Sequence, residues 1–188
     1  MSKWTTSNIP DIRGRSFVVT GTGGLGFEDA LALGKAGATV ILAGRNPGKG
    51  AEAISRIKRE APKASISFEA LDLADLASIA AFGERLRSQH DHLDVLINNA
   101  GVMMPPTRKV TSDGSELQSG TNYLGHFAPT AHLLPLLRKP HNPRAVTPPS
   151  IAPPALPPAI DDPQATRTDT PMPACIKSNL AWLTFAPQ

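Results

Sequence analysis

A glycine-rich turn is the part of the sequence whose residue types most clearly suggest chemistry. After the apolar run at 17–19, residues 20–26 read Thr-Gly-Thr-Gly-Gly-Leu-Gly, a G-x-G-x-x-G pattern that begins at Gly21, ends at Gly26 and contains Gly24 and Leu25. Glycines at this spacing allow positive φ and let a pyrophosphate approach bare backbone, and the N–H groups that open the following helix attract its charge. The pattern predicts a dinucleotide site, although a plain tight turn also accounts for the glycines.

The end of the second apolar run indicates which dinucleotide would bind. A site for NAD usually has an acidic residue about 20 positions after the glycine turn, where it accepts hydrogen bonds from the ribose hydroxyls. Residues 43–46 read Ala-Gly-Arg-Asn, so the Arg45 guanidinium replaces the carboxylate and can pair with a 2′-phosphate. We therefore expect NADP(H) as the cofactor, with NAD(H) less favoured. The alternative is that Arg45 is a solvated charge at a strand end.

Short apolar runs alternate with longer helical segments between the first run and Asn99, an order that is typical of a parallel sheet with helices on its faces. Strands are predicted at 17–19, 40–42, 66–68 and 95–97. Helices are predicted over 48–60, over about 75–89, and over 114–138 with Pro129 and Pro135 interrupting the last one. The predicted fold class is α/β, a Rossmann-type doubly wound parallel sheet.

The composition changes near Lys139. Residues 139–188 contain 12 of the 19 prolines, and residues 1–138 contain the other seven. We therefore divide the chain into a dinucleotide-binding Rossmann core, residues 1–138, and a proline-rich remainder of the same domain, residues 139–188. The length of 188 residues supports one such domain and is too short for two.

Charge and cysteine content exclude several classes of partner. A net charge of +3 is too weak to indicate nucleic acid, and no apolar run approaches the roughly 20 residues of a membrane span. The single cysteine, Cys175, allows no intrachain disulfide, so we expect a cytoplasmic protein. The five histidines lack metal-ligand spacing, and we expect them on the surface or on helix faces, with no metal site.

Several longer stretches match a known pattern together. They are Val-Val-Thr-Gly at 18–21, Gly-Leu-Gly-Phe-Glu at 24–28, Ala-Gly-Arg-Asn at 43–46, Leu-Asp-Leu at 71–73, Asn-Asn-Ala-Gly at 98–101 and Asn-Tyr-Leu-Gly-His-Phe at 122–127. The chain thereby resembles the short-chain dehydrogenases/reductases, in the branch of the retinol dehydrogenases, protochlorophyllide reductase and the WW-domain oxidoreductase. The resemblance implies that Asp72 and Leu73 lie by the adenine ring, that Asn99, Ala100 and Gly101 line the cofactor, and that Asn122 belongs to a catalytic tetrad.

The other tetrad positions depart from the family pattern. The resemblance implies a Ser after the fifth strand, which Ser150 supplies, and a Y-x-x-x-K pair, at which Cys175 and Asn179 stand for Tyr and Lys. In the family, the Tyr transfers a proton at the substrate oxygen and the Lys lowers the Tyr pKa. A thiol is too short to reach that oxygen and Asn179 carries no charge, so a loss of about 10²- to 10⁴-fold in rate is expected.

Further departures concern folding. The glycine turn is one residue shorter than the family's, and Pro148 and Pro149 fall where the fifth strand should pair with the fourth, although proline has no N–H for the ladder. We expect a sheet truncated after its fifth strand, without the family's later strands and substrate-binding lid. A decaying gene copy or an error in the sequence would explain these departures together.

Three functional hypotheses remain open. The first is an NAD(P)-dependent oxidoreductase that transfers hydride between NADP(H) and a small carbonyl or alcohol substrate, impaired or inactive in this chain. The second is a non-catalytic dinucleotide-binding remnant that keeps residues 14–101 folded and pairs with intact relatives. A homo-oligomer is a further expectation. The third is a partly disordered product without function. A methyltransferase is disfavoured, because its glycine loop usually follows an acidic strand end, where this chain has Thr20.

Overall fold

The computed structural model describes residues 4–148 together with Gln164, Cys175 and Ser178. Within residues 4–148 the chain forms β1 (Ser16–Thr20), α1 (Leu25–Lys35), β2 (Thr39–Gly44), α2 (Pro47–Glu60), β3 (Ser65–Ala70), α3 (Leu76–Gln89), β4 (Val95–Ile97), a π-helical turn (Ser119–Leu124), α4 (Gly125–Leu137) and β5 (Arg144–Val146). The predicted α/β class is confirmed, and the predicted strands and first helices lie within a few residues of their predicted bounds.

The sheet is parallel and has the strand order β3-β2-β1-β4-β5. In its centre, Val18 of β1 lies between Ile41 of β2 and Leu96 of β4. The chain builds the sheet outward from β1 to β3 and then crosses back to add β4 on the other side. This reversal creates a crevice at the carboxyl ends of β1 and β4, which is where open α/β sheets bind ligands.

Helices cover both faces of the sheet. Because side chains alternate along a strand, Val19 and Val40 face one core with Phe27 of α1 and Ile57 of α2, whereas Val18 faces the other. That second core is filled from α3 and α4 by Ile79, Phe82, Leu86 and Leu133. Central strands buried on both sides are continuous apolar runs, so the predicted doubly wound sheet is confirmed.

The fourth helix differs from its prediction over 114–138. Residues 111–116 form a turn, and the Glu116 carboxylate accepts hydrogen bonds from the N–H groups of Gln118 and Ser119, at 2.9 and 2.8 Å. This cap sets the start of the helical segment after Glu116 rather than at Gly114. Pro129 and Pro135 lie inside α4 without interrupting it. The burial of Leu133 and neighbouring side chains in the second core stabilises the helix by more than the two prolines, which lack backbone N–H groups, destabilise it.

The fifth strand is shorter than predicted. It pairs with β4 through Arg144–Val146 and ends there, where the N–H of Asn98 donates to the Val146 carbonyl at 2.8 Å. Pro148 lies beyond the strand and not, as predicted, where the fifth strand pairs with the fourth, because the ladder ends at Val146. Pro149, Ser150 and Asn179 lie outside the described residues. No helix in the described part of the chain is long and apolar enough to cross a membrane.

Candidate active site

A cleft of about 300 Å³ opens at the carboxyl edge of the sheet, at the crevice between β1 and β4. It is bounded by the turn after β1, the end of β2, the segment after β3, the segment after β4 and the π-helical turn. The lining residues are Gly21, Thr22, Ala43, Gly44, Arg45, Asn46, Lys49, Leu71, Asp72, Leu73, Ala74, Ala100, Gly101, Val102 and Thr121. Six of the predicted cofactor residues are therefore together in one cleft: Gly21, Arg45, Asp72, Leu73, Ala100 and Gly101.

The glycine turn has the backbone conformation that its residues predict. Gly21 and Gly24 have φ of 94° and 54°, a region that side-chain-bearing residues rarely adopt. Gly26 is required for packing instead, because a Cβ there would lie 2.5 Å from Asn99 Nδ2 and 2.6 Å from the Gly21 carbonyl oxygen. Gly24, Leu25 and Gly26 are not among the cleft-lining residues, and Leu25 is 69% exposed at the start of α1.

Two cations lie on the β2 side of the cleft. Arg45 directly follows β2, and Lys49 lies in the first turn of α2, where its N–H donates to the Asn46 side-chain oxygen at 3.1 Å. Asn46 thereby caps α2, and Pro47 occupies the first helical position. The positive end of the α2 dipole, Arg45 and Lys49 together favour an anion at this end of the cleft.

The neighbouring strand end, that of β3, contributes a fixed carboxylate. Asp72 follows β3, and its Oδ1 accepts a hydrogen bond from the Ala74 N–H at 2.9 Å. The Asp72 N–H in turn donates to Ser78 Oγ at 2.9 Å. These bonds hold the carboxylate at the cleft beside the buried Leu71 and Leu73, so a hydrogen-bonding group of a planar base has an acceptor and an apolar surface there.

The segment after β4 is anchored to the end of β1. Thr20 Oγ1 accepts hydrogen bonds from the N–H groups of Asn99 and Ala100, at 2.9 and 3.0 Å. The Asn99 side chain donates to the Thr20 carbonyl at 2.9 Å. Asn99 is therefore a bracing residue that holds Ala100 and Gly101 against the cleft, and it is not itself among the lining residues.

Asn122 joins the π-helical turn to the same segment and to the distal part of the chain. Its amide accepts from the Val102 N–H at 2.8 Å and donates to the Val102 carbonyl at 2.9 Å. Asn122 Nδ2 also lies 3.3 Å from Ser178 Oγ, and Ser178 Oγ donates to the Cys175 carbonyl at 2.9 Å. The structure thus brings the Cys175 segment to Asn122, with the Cys175 side chain buried.

Of the tetrad predicted from the sequence, Asn122 and Cys175 belong to the described residues, and Ser150 and Asn179 lie outside them. Among the residues that the structure describes, no group of histidine, cysteine and acidic side chains could hold a metal ion. His126 is not at a surface, since it is fully buried beneath the cleft, where burial lowers its pKa to about 4. Its imidazole is therefore neutral at pH 7.

Sequence reasoning missed three residues at or beneath the cleft. The place of Lys49 at the cleft was predictable from the sequence. Lys49 lies four residues after Arg45, in the first turn of a predicted helix, so it lies next to the end of the same strand. Thr121 is 7% exposed and lines the cleft, and its hydroxyl has no hydrogen-bond partner among the described residues. His126 carried no sequence signal beyond its place in the Asn-Tyr-Leu-Gly-His-Phe stretch.

Comparison with known proteins decides the family. The model of the short chain dehydrogenase family matches residues 15–153, which is most of the chain. The chain belongs to the short-chain dehydrogenase family. Human polyprenol dehydrogenase is 39% identical over 174 residues, covering 90% of this chain and 52% of the human protein. The chain spans 40–52% of the length of the curated relatives that it matches.

Solved structures with the same fold include an uncharacterized protein and a short-chain dehydrogenase. An uncharacterized protein from Mycobacterium paratuberculosis is 37% identical, with a TM-score of 0.84 over 98% of this chain and 64% of that one. A short-chain dehydrogenase from Escherichia coli CFT073, complexed with NADPH, is 25% identical, with a TM-score of 0.71 over 93% of this chain and 70% of that one. The dinucleotide predicted from the glycine turn thus agrees with the family, whose members use a nicotinamide cofactor.

Proposed function

We propose that this chain binds NADP(H) in the cleft at the carboxyl edge of the sheet, with residues 1–138 supplying the binding site. The observation that carries the proposal is the pair of cations, Arg45 and Lys49, in a cleft whose described lining contains one carboxylate, that of Asp72. A 2′-phosphate carries up to two negative charges and accepts bidentate hydrogen bonds from a guanidinium. The NADPH complex of the Escherichia coli relative supports the same choice.

The remaining walls fit the rest of a dinucleotide. Gly21 has positive φ and leaves bare backbone beside the cleft, which suits a pyrophosphate. The Asp72 carboxylate, held by the Ala74 N–H, accepts from the amino group of an adenine that packs on Leu73. We propose that Gly24, Leu25 and Gly26 act indirectly, by setting the path of the turn and the start of α1. Asn99 acts indirectly as well, through its bonds to Thr20.

The bound cofactor would exchange hydride at its nicotinamide, and we propose a small carbonyl or alcohol as the substrate class. In this chain the proton transfer that accompanies hydride exchange is the weak step, because Cys175 stands at the Tyr position and is buried. The Asn122 side chain hydrogen-bonds to Val102 and Ser178, so it positions these segments of the site and supplies no titratable group. Oxidoreductase activity is therefore expected to be low, and dinucleotide binding without turnover is the second candidate function.

Self-association is proposed for the outer face of the helical segment that contains α4. Leu124, Phe127 and Leu134 are spaced three and seven residues apart, so they lie on one face, and each is 39–50% exposed. Exposed apolar side chains in one row are typical of a helix that packs against a partner. A second copy of this chain is the expected partner. Light scattering should give a dimer mass that falls to the monomer mass for Phe127→Asp.

Isothermal titration calorimetry of the whole chain with NADPH and NADH tests the cofactor proposal. Wild type should bind NADPH at least tenfold more tightly than NADH. Arg45→Ala and Lys49→Ala should each weaken NADPH binding while leaving NADH binding within twofold, since NADH has no 2′-phosphate. Arg59→Ala removes a cation from the last turn of α2, far from the cleft, and is the control. Equal affinities for the two dinucleotides in wild type would contradict the proposal.

A further inference from the structure

The hydroxyl of Thr20 is the centre of a buried hydrogen-bond cluster beneath the cleft. Besides the two N–H groups of Asn99 and Ala100, it lies 3.0 Å from Nε2 of His126. Thr20 is 1% exposed and His126 is fully buried, so water does not compete for these bonds. A buried cluster of this kind is strong when all its donors and acceptors are matched.

The other ring nitrogen of His126 fixes the direction of the bonds. Nδ1 lies 3.0 Å from the backbone carbonyl oxygen of Asn122, and a carbonyl can only accept, so Nδ1 carries the hydrogen. In a neutral imidazole Nε2 is then the acceptor, and the Thr20 hydroxyl donates to it at 3.0 Å, a shorter contact than the 3.3 Å from Thr20 Oγ1 to the other available acceptor, the Ile97 carbonyl oxygen. Both lone pairs of Thr20 Oγ1 remain for the N–H groups of Asn99 and Ala100. Every donor in this chain of bonds thus faces an acceptor.

This chain of bonds connects three separate walls of the cleft. Thr20 immediately precedes the glycine turn, and Asn99 and Ala100 begin the segment after β4. Asn122 lies in the π-helical turn next to Thr121, and its side chain holds both backbone groups of Val102. The imidazole of His126 is therefore the link by which the π-helical turn is held in register with the end of β1.

We propose that His126 is a positioning residue for the dinucleotide, acting through Thr20 and Asn122 to hold the walls of the cleft at the spacing that the cofactor requires. This role rests on the proposed NADP(H) binding. It assigns a function to a histidine that touches neither cofactor nor reacting atoms. Removing the ring nitrogens should loosen the cleft and weaken cofactor binding even where the fold survives.

Calorimetric titration with NADPH tests this role in the whole chain, beside chemical denaturation of each variant. His126→Phe keeps a ring of similar size and removes both nitrogens, and we expect it to weaken NADPH binding at least tenfold. Leu133→Ala is the matched control, because Leu133 is fully buried in the same helix but outside the cluster. It should lower the free energy of unfolding and leave NADPH affinity within twofold at a temperature where it is folded.

A double-variant cycle tests the link to Thr20. Thr20→Val and His126→Phe should each weaken NADPH binding. The NADPH affinity of the double variant should be within twofold of the affinity of the weaker-binding single variant. His126→Leu, which also lacks a donor and an acceptor, replaces His126→Phe in the cycle if the Phe variant does not melt cooperatively.

The outcomes separate this role from the proposed function. Wild type that binds no NADPH overturns both. Wild type that binds NADPH, together with a His126→Phe variant that binds it within twofold as tightly, overturns the positioning role alone. Losses that simply multiply in the double variant also overturn it, because two independent sites would behave in that way.

Discussion

The cleft after β1, β2 and β3 and the region around Asn122 lie on the same edge of the sheet, yet they meet the requirements of the family unequally. In the cleft, the glycine turn, Arg45 and Asp72 are all in place around one cavity. Around Asn122, the polar contacts run to Val102, Ser178 and the backbone of Cys175. We propose that the buried Cys175 thiol stands there in place of the family's titratable hydroxyl.

The difference shows how two kinds of site respond to sequence change. A dinucleotide cleft depends mainly on backbone path, helix ends and a few charges, so the loss of one turn residue leaves its architecture in place. Proton transfer depends on one side chain of the correct length and pKa, and no neighbouring group can substitute for it. We therefore propose that the chain binds the dinucleotide and has low turnover.

The largest expected effect is a gain of activity. Cys175→Tyr combined with Asn179→Lys should raise the rate of NADPH oxidation with a simple aldehyde by about 10²- to 10⁴-fold, because a positioned general acid is restored. Loss of NADPH absorbance with an aromatic and a medium-chain aliphatic aldehyde measures this rate. Cys175→Phe with Asn179→Lys adds the same ring without the hydroxyl and is the control. Equal rates for the Tyr and Phe variants would refute the assignment of position 175.

Gly26→Ala should break the cleft itself. Its Cβ would lie 2.5 and 2.6 Å from Asn99 Nδ2 and the Gly21 carbonyl oxygen, and the latter is backbone that cannot move away cheaply. We expect about 3 kcal/mol of lost stability or more, with NADPH binding abolished. Gly23→Ala is the stability control, because a Cβ there meets no atom within 4 Å. Denaturant melts that give the two variants the same stability would contradict the close packing of α1 on β1.

Acid should weaken the fold through His126. Its pKa is about 4 in the folded chain against an ordinary 6.5, because burial disfavours the charged ring. As the pH falls below 6.5 the unfolded chain binds the proton first, so the free energy of unfolding decreases down to pH 4 and then levels off. The difference corresponds to about 3 kcal/mol. Urea melts between pH 7 and 4 should show a steeper decrease for wild type than for His126→Gln, and parallel curves would contradict the neutral buried ring.

Much of the fold was predictable because buried parallel strands are continuous apolar runs, and β1 and β2 lie within two residues of their predicted bounds. The cleft was predictable where side chains or glycines act directly, as for Gly21, Arg45 and Asp72. The start of α4 was not predictable, because it depends on the Glu116 carboxylate as a cap. The same is true of His126, whose role arises from a contact with Thr20, 106 residues earlier in the chain.

The smallest expected effect concerns two threonines of the same helical segment. Thr121→Val should leave the chain without cofactor equally stable or more stable by about 1 kcal/mol, because the wild-type hydroxyl is buried without a partner in the described structure. Thr130→Val should instead cost about 1 kcal/mol, since Thr130 Oγ1 donates to the His126 carbonyl at 2.7 Å. Denaturant melts without cofactor compare the two variants, and a reversed order would contradict the hydrogen bonding around α4.

Amide NMR on the ¹⁵N-labelled chain titrated with NADP⁺ tests most directly whether the dinucleotide binds in this cleft. Binding there predicts saturable shifts of the amides of Gly21, Gly44, Arg45, Asp72, Ala100 and Gly101, with smaller shifts when NAD⁺ replaces NADP⁺. Residues at the opposite edge of the sheet, such as Ser16 and Asp94, should not shift. A spectrum that NADP⁺ leaves unchanged, or one whose shifts lie away from this cleft, would contradict it.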